Sequence, residues 1–511
     1  MLLRNKDLNI YSLTLALSLT LSTPTLLAQE DTAPLMTDPA ISDAIEDELA
    51  FDPGVSINWM DIETTNGIVT LSGKVKHLLA KQRAVKVAQT VKGVRAVVNQ
   101  LEVVPTVRSD ETIEQDVKTA LADNAATDAF EVSVTVAQGV VTLTGTVDSW
   151  QEKSLATKSA QRVKGVQKVN NDLVIDYQTE RQDNEIEADI KAALRWDVWV
   201  DDSLIVIKVE KGEVELSGTV GSAAAKERAI LAAKVVGVSS VDAAELKVDP
   251  LVKRADLRED KYVEKTDAQI QAAVEDALLW DPRINKFDLS VSVSAGVATL
   301  RGVVDNLKAK RAAARDARDT AGIWRVVNRI KVRPEDSISD EKLVEKVNNA
   351  LQRDPYVTDY EIGVLADNGV VSLVGDVTSF FEKAQAEDIA SRVNGVIAVH
   401  NRLTIEGPPV LLTTEPTVDD WSLYDFDWYR FDENIATIKS DWEILEDIKD
   451  QLWWSFFVDE EQVAVTVDEG VATLTGTVDT WSERLAATEN ALEGGAVAVN
   501  NQLKVKYAGP E

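Results

Sequence analysis

Apolar positions recur along this chain in two patterns that predict helices and strands in a fixed order. One pattern places apolar residues at i, i+4, i+7 and i+8, which predicts an amphipathic helix with one buried face. The second unit of the chain shows this pattern at Ile113, Val117, Ala120 and Leu121. Two stretches of alternating apolar and polar residues follow, as at 132–136, and predict β-strands. With a second helix and a closing strand, each unit is predicted to follow the order α-β-β-α-β.

This order is copied six times, and paired glycines mark each copy. The pattern is Gly-x-ϕ-x-Leu-x-Gly-x-ϕ, where ϕ is apolar, and one unit takes about 70 residues. We expect the first glycine in a hairpin turn, because pairs such as Asn66-Gly67 tolerate positive φ. Period two places the second glycine on the core face of its strand, where we expect it to let a helix approach closely. The structural glycines are Gly67 and Gly73, Gly139 and Gly145, Gly212 and Gly218, Gly296 and Gly302, Gly369 and Gly375, and Gly470 and Gly476.

Two later features recur in each copy. A further glycine stands at Gly93, Gly165, Gly237, Gly322, Gly395 and Gly494. An Asn-x-[Leu/Ile]-x-[Val/Ile] segment then starts at Asn99, Asn171, Asn328, Asn401 and Asn501, with Ala244 in the third copy. In four copies the first helix ends in an aromatic residue or Arg followed by Asp, and in three of these a proline comes next, which we interpret as a helix stop.

The predicted fold class is α+β, with six tandem small domains. Each is expected to be a three-stranded mixed sheet with two helices on one face. Domains 1 to 6 are predicted at 37–105, 109–177, 183–249, 266–334, 338–406 and 441–507. The charged stretch from Pro250 to Thr266 is interpreted as a plain spacer, and 407–440 as an aromatic and acidic insert.

The N-terminus has the layout of a secretory signal peptide at residues 1–28. Arg4 and Lys6 precede an apolar run, and small residues lead to a predicted cleavage site near Ala28. A retained membrane anchor is the alternative, but the run ends before the roughly 20 apolar residues that a spanning helix needs. The chain has no cysteine, so each domain has to fold on its own hydrophobic core.

Charge is uneven along a chain whose formal net charge is −32. Ten basic residues stand against three acidic ones at 301–333, and seven against one at 74–104. These two basic faces are candidate sites for anionic lipid, at Lys308, Lys310, Arg311, Arg315, Arg318, Lys81, Arg83 and Lys86. Alternatively, they pair with acidic neighbouring domains. The acidic remainder of the surface opposes binding to nucleic acid.

The insert at 407–440 is rich in aromatic residues, which ordinary linkers lack. It either docks back on domain 5 or 6, or captures a partner through exposed rings. The candidate partner-binding residues are Trp421, Tyr424, Trp428 and Tyr429.

Groupings of residues that would support catalysis are not found. The two histidines, His77 and His400, fall in different domains. Acidic pairs such as Asp419-Asp420 and Glu460-Glu461 lack the regular ligand spacing of a calcium loop, and we interpret them as solvated surface. We therefore expect no enzyme activity, no catalytic residue, no cofactor and no metal site.

The sixfold set of hairpin glycine, Leu-x-Gly strand, later Gly-Val and closing Asn-x-Leu, behind a signal peptide, resembles the BON family of bacterial envelope proteins. The resemblance covers nearly all of residues 37–507. It implies a periplasmic role linked to osmotic or other stress, with binding of phospholipid surfaces or envelope proteins. The alternative is a structural, osmoprotective repeat protein that has no specific ligand.

Overall fold

The computed structural model of the protein describes residues 36–506, except residues 51, 125–126, 128–130, 178–180, 259–260, 262–264, 282, 285–286, 335–337, 358–359 and 406–438. These residues form six copies of the predicted α-β-β-α-β order, which confirms the fold class. In each sheet the first strand runs antiparallel to the second, and the third strand runs parallel to the second. The predicted signal peptide lies outside the described residues.

The elements occupy equivalent positions in the six domains. First helices span Asp38–Ala50, Asp110–Asp123, Asp183–Trp196, Asp267–Trp280, Asp340–Arg353 and Asp441–Trp454. First strands span Met60–Thr65, Val132–Ala137, Ile205–Glu210, Ser290–Ser294, Gly363–Asp367 and Val463–Asp468. Second strands span Ile68–Val75, Val140–Val147, Glu213–Val220, Val297–Arg301 with Val303–Val304, Val370–Val377 and Val471–Val478.

The second half of each domain is a helix and a closing strand. Second helices span Leu78–Thr90, Trp150–Gln161, Ala223–Ala232, Leu307–Arg318, Phe380–Arg392 and Trp481–Glu493. Third strands span Ala96–Val103, Lys168–Asn171 with Val174–Ile175, Ser240–Asp242 with Leu246–Val248, Arg325–Asn328 with Lys331–Val332, Ala398–Ile405, and Ala498–Asn501 with Lys504–Val505. Short helices at Ile57–Trp59, Arg254–Arg258 and Glu460–Gln462 lie between these elements.

Each domain has its own hydrophobic core between one sheet face and the two helices. In domain 2 the helix positions Ile113 and Val117 pack against the strand position Leu143, as their periodicities predict. The cores are not fully separate, however. Leu78 of domain 1 joins the core of domain 2, and Trp454 of domain 6 joins the core of domain 1. Small domains are marginally stable alone, so these shared residues add to the burial of each.

The hairpin turns have the backbone that the glycines predict. Asn66 and Gly67 have φ values of 52° and 71°, both in the left-handed region. The residue before the turn glycine has a positive φ in every domain. This includes Ala295 and Glu469, residue types that seldom adopt a positive φ. Such strain persists only where surrounding contacts hold the turn in place.

The second glycine of each pattern is structural for a different reason from the one expected. Gly145 has a φ of +132°, which side chains rarely allow, and it is exposed although Leu143 and Val147 on either side of it are buried. A β-carbon there would lie 2.2 Å from the backbone oxygen of Glu131, the residue just before the neighbouring strand. The expected close approach of a helix is therefore wrong. Backbone crowding between adjacent strands is what excludes a side chain.

An aspartate at the start of each first helix holds the hairpin turn. In domain 2 the two carboxylate oxygens of Asp110 accept hydrogen bonds from the backbone N–H groups of Gln138 at 2.7 Å and Gly139 at 2.9 Å. The same pair of bonds is made by Asp38, Asp183, Asp267, Asp340 and Asp441. Because this carboxylate joins helix to turn, we call the arrangement the aspartate clamp.

The stretch from 250 to 266 is not the plain spacer that its composition predicts. The guanidinium of Arg258 contacts Asp201 of domain 3 at 3.1 Å and Glu483 of domain 6 at 2.7 Å. Lys261 is fully buried, and its Nζ donates to the carbonyl oxygens of Leu194 at 2.8 Å and of Val200. The prediction of a plain spacer is therefore wrong, because the charge of Arg258 links domain 3 to domain 6.

We predict that Asp110→Asn loosens the hairpin turn of domain 2. The change removes the charge from two charge-assisted hydrogen bonds, which costs on the order of 1 to 3 kcal/mol. Amide hydrogen exchange should accelerate at residues 138–140. Glu111→Gln is the matched control, because the exposed Glu111 lies in the same helical turn and removes the same charge. Equal exchange in the two variants would contradict the clamp.

Candidate functional site

The basic face predicted in domain 4 is turned toward domain 5. The Nζ atom of Lys308 lies 2.8 Å from a carboxylate oxygen of Asp388, and Arg311 contacts Glu387 at 2.6 Å. Burial, together with nearby arginines, holds the pKa of Lys308 well below its usual range. Lys310 and Arg318 lie half-buried on the same helix. The geometry supports the second sequence-based interpretation, in which these charges pair with an acidic neighbour.

Arg315 of the same helix is buried within domain 4. Its guanidinium lies 3.1 Å from Asp316 and 3.8 Å from Asp281. Its side chain is only 4% exposed, so it is not available to a flat membrane surface. Burial and the charge of Asp281 raise the pKa of Asp316 well above its usual range.

The basic residues predicted in domain 1 are placed separately. Arg83 is buried and pairs with Asp52 at 2.6 Å, and its guanidinium lies 4.8 Å from the Phe381 ring of domain 5. The Nζ atom of Lys81 donates to the backbone oxygen of Leu101. Lys86 is half-buried on the wall of a cavity between domains. These three side chains therefore do not form one exposed basic patch.

Other predicted features are only partly within the described part of the chain. Trp421, Tyr424, Trp428 and Tyr429 lie outside the described residues, so partner capture by the insert stays a prediction. Among residues that the structure describes, no three His, Asp or Glu side chains are grouped as metal ligands, and no helix is long and apolar enough to cross a membrane. Glu460, one of the acidic pair, contacts Lys92 of domain 1 at 3.0 Å.

Comparison with known proteins identifies the family of the repeated domain. The sequence model of the BON domain matches residues 37–105, 109–177, 182–250, 266–334, 339–407 and 440–507. The chain belongs to the BON-domain family. It is similar to osmotically-inducible protein Y of Escherichia coli strain K12, with 32% identity over 145 residues, which cover 27% of this chain and 72% of that protein.

Two solved structures from the type III secretion system of Chlamydia trachomatis also match. Both are of the structural protein CdsD. The match to the first structure is 15% identical and covers 40% of this chain and 91% of the CdsD chain. The match to the second, the C-terminal domain of CdsD, is 19% identical and covers 45% of this chain and 100% of that chain. The TM-score is 0.12 in both cases, and at this value the likeness carries no structural argument.

Three pairs of BON domains, 1 with 6, 2 with 5 and 3 with 4, share one kind of backbone junction in a nested order. In each pair, the residue directly after a first helix forms an antiparallel backbone bridge with a residue that follows a second helix of the partner domain. The bridges are Ser455 with Val91, Asn124 with Val393, and Asp197 with Thr320. Backbone hydrogen bonds flank them, including Asn394 N to Asp123 O at 2.9 Å and Lys164 N to Arg353 O at 2.8 Å.

The Asp that follows a first helix stabilises the backbone at this junction. Asp197 accepts a hydrogen bond from the backbone N–H of Trp199 at 2.8 Å and pairs with Arg228 at 2.6 Å. Arg228 also reaches Asp319 of domain 4 at 3.4 Å. Sequence reasoning noted the Asp at the helix end, assigned the helix stop to the proline that follows it in three copies, and missed the pairing. A signal was present, since Asp52 with Arg83 and Asp197 with Arg228 are both 31 residues apart.

The sheet faces that the helices do not cover remain open. Their polar positions include Ser, Thr and charged residues, and each domain exposes at least one aliphatic side chain on a strand. These residues are Ile68 and Val98, Val174, Val206, Val303, Leu365 and Val471. Val206 and Leu365 are 61% and 62% exposed. One such residue is ordinary on a protein surface, but six similar faces form a repeated surface.

We predict that Arg311→Met destabilises the contact between BON domains 4 and 5. Glu387, whose side chain is 6% exposed, would lose its ion pair while buried, which costs about 3 kcal/mol. Arg311→Met with Glu387→Leu should recover most of the loss, because no charge is then left unpaired. Hydrogen exchange of the helix Phe380–Arg392 measures the effect. Lys118→Met, in an exposed pair with Glu114, is the control and should cost under about 1 kcal/mol.

His77 caps the second helix of BON domain 1 and is neutral at pH 7. Its Nδ1 accepts a hydrogen bond from the N–H of Ala80 at 3.1 Å, and its ring meets Tyr356 of domain 5 edge to face. Burial, together with the smaller effect of the charge of Lys76, lowers the pKa of His77 from 6.5 to about 4. Protonation would remove the lone pair that caps the helix.

Acid should therefore destabilise domain 1 through His77. As the pH falls from about 6.5 toward 4, the unfolded chain binds the proton before the folded one, so stability on the order of 2 to 3 kcal/mol is lost. His77→Asn should remove this part of the pH dependence and keep the cap, since Asn306 caps the matching helix of domain 4. Hydrogen exchange of domain 1 at pH 7 and 4.5 measures it. His400→Asn, at an exposed strand position, should leave the dependence unchanged.

Proposed function

We propose that this protein is a non-enzymatic, stress-related scaffold of the bacterial periplasm that holds envelope proteins on its open sheet faces. Membership of the BON family and likeness to an osmotically-inducible protein support the stress-related class. The observation that most supports binding of envelope proteins is the open sheet face, which exposes an aliphatic side chain on a strand of every domain. Several weak sites on one chain gain avidity without any single strong contact.

Charge favours proteins over anionic membranes as partners. Lys308 and Arg311 are engaged with domain 5, and Arg83 with Asp52, while the whole chain has a formal net charge of −32. An acidic outer surface is repelled by anionic headgroups. Contact with phospholipid stays a prediction, and cosedimentation with anionic vesicles at low salt tests it. Binding there would favour lipid as the partner.

Site-specific crosslinking in cells tests the scaffold. A photoreactive amino acid placed at Val206 or Leu365 should crosslink to defined envelope proteins, and more strongly after an osmotic upshift. Leu279 is the matched control, because it is 63% exposed but lies on a helix rather than a sheet face. Crosslinks that are absent at both sheet positions, or equal at Leu279, would contradict the proposal. Fractionation of the same cells tests the periplasmic location.

A further inference from the structure

A cavity of about 700 Å³ lies where BON domains 1, 2, 3 and 4 meet. Its walls are mainly helices, including the second helices of domains 1 to 3 and both helices of domain 4. The volume falls in the range of small-molecule sites, about 300 to 1,000 Å³. At the contact of domains 2 and 5, the equivalent junction leaves a cavity of only about 60 Å³. Pairing of two domains therefore does not by itself create this space.

The cavity wall is mostly apolar, and part of that surface serves no domain core. Leu155, Leu231 and Trp280 line the cavity but are absent from the hydrophobic cores of their own domains. Trp196 reaches the same wall from domain 3. Large apolar side chains that converge from three domains on an open space are a feature of ligand sites.

Four lysines also line the cavity, and two of them lie at the ring of Trp150. Lys86, Lys153, Lys158 and Lys234 come from domains 1, 2 and 3. The Nζ atoms of Lys234 and Lys153 lie 5.0 Å and 5.5 Å from the Trp150 ring. Burial lowers the pKa of Lys234, and the charge of Glu227 opposes this only in part. An anion beside this ammonium group would favour its charged form.

Most acidic residues that line the cavity from domains 3 and 4 are paired with arginines, whereas Glu227 lies near Lys234. Asp197 and Asp319 both pair with Arg228, and Asp316 pairs with Arg315. These ion pairs leave the lysines as the electropositive end of the cavity. The cavity therefore has an apolar body and a cationic end within a strongly acidic protein.

We propose that this cavity binds a single-chain amphiphilic carboxylate, with its chain along Leu155, Leu231 and Trp280 and its carboxylate at Lys234. The site is separate from the sheet faces that we propose for envelope proteins. A carboxylate matches the lysine ammonium groups, and an aliphatic chain matches the wall. Each buried methylene contributes about 0.8 kcal/mol, which is about a fourfold gain in affinity.

Displacement of the fluorescent anion 1-anilinonaphthalene-8-sulfonate from the full chain tests the site. Dodecanoate should compete at a concentration at least about tenfold lower than decanoate, since it buries two more methylenes. It should also compete at least about tenfold better than 1-dodecanol or dodecylamine, which carry no negative charge. Equal competition by dodecylamine, or no competition by dodecanoate, would overturn the proposal.

Variants locate the binding. Lys234→Gln should weaken dodecanoate about tenfold and leave 1-dodecanol unchanged, whereas Lys208→Gln, at an exposed strand position of domain 3, should change neither. Ala277→Phe fills the cavity and should abolish competition, while Ala272→Phe makes the same change on the exposed side of the same helix. Circular dichroism checks that each variant folds. Unchanged binding in both Lys234→Gln and Ala277→Phe would place the ligand elsewhere.

Discussion

The aspartate clamp is the contact on which every domain depends. It joins the first residue of a helix to a hairpin turn 28 and 29 residues later, and so fixes the helix against the sheet. It also accounts for turn residues such as Ala295 and Glu469, whose positive φ is unfavourable in isolation. With two backbone N–H groups bound by one carboxylate, the turn conformation does not need the Asn-Gly pair that only two domains have.

Contacts between domains compensate for the small size of each core. The chain has no cysteine, so no disulfide strengthens a domain. Instead, Trp454 of domain 6 enters the core of domain 1, Leu78 of domain 1 enters the core of domain 2, and the helix ends are bridged through their backbones. Buried ion pairs such as Arg311 with Glu387 also fix how domains 4 and 5 are oriented. Any other orientation would leave a buried charge without its partner, which lowers stability.

The sequence predicted elements well and contacts between domains poorly, and the reason is physical. Periodicity and turn residues are local, so the helix at Ile113 and the turn at Gly139 could be inferred from neighbours. Gly145 was assigned to packing against a helix because strand alternation cannot show a positive φ. Charge runs carry no information on distant partners, so Lys308 fitted a membrane face and an interdomain contact equally well. The cavity at Trp280 depends on four domains meeting, which no single repeat encodes.

The nested order of the domain pairs sets the order in which the molecule can assemble. Side chains joined across the pairs are 120 residues apart for Trp199 and Asp319, 223 for Asp123 and Lys346, and 368 for Lys92 and Glu460. Of these three pairs, domains 3 and 4 are the first that can meet during synthesis, and domain 1 has to wait for domain 6, the last of the six domains to be made. The paired junctions therefore become possible in order from the middle of the six domains outward.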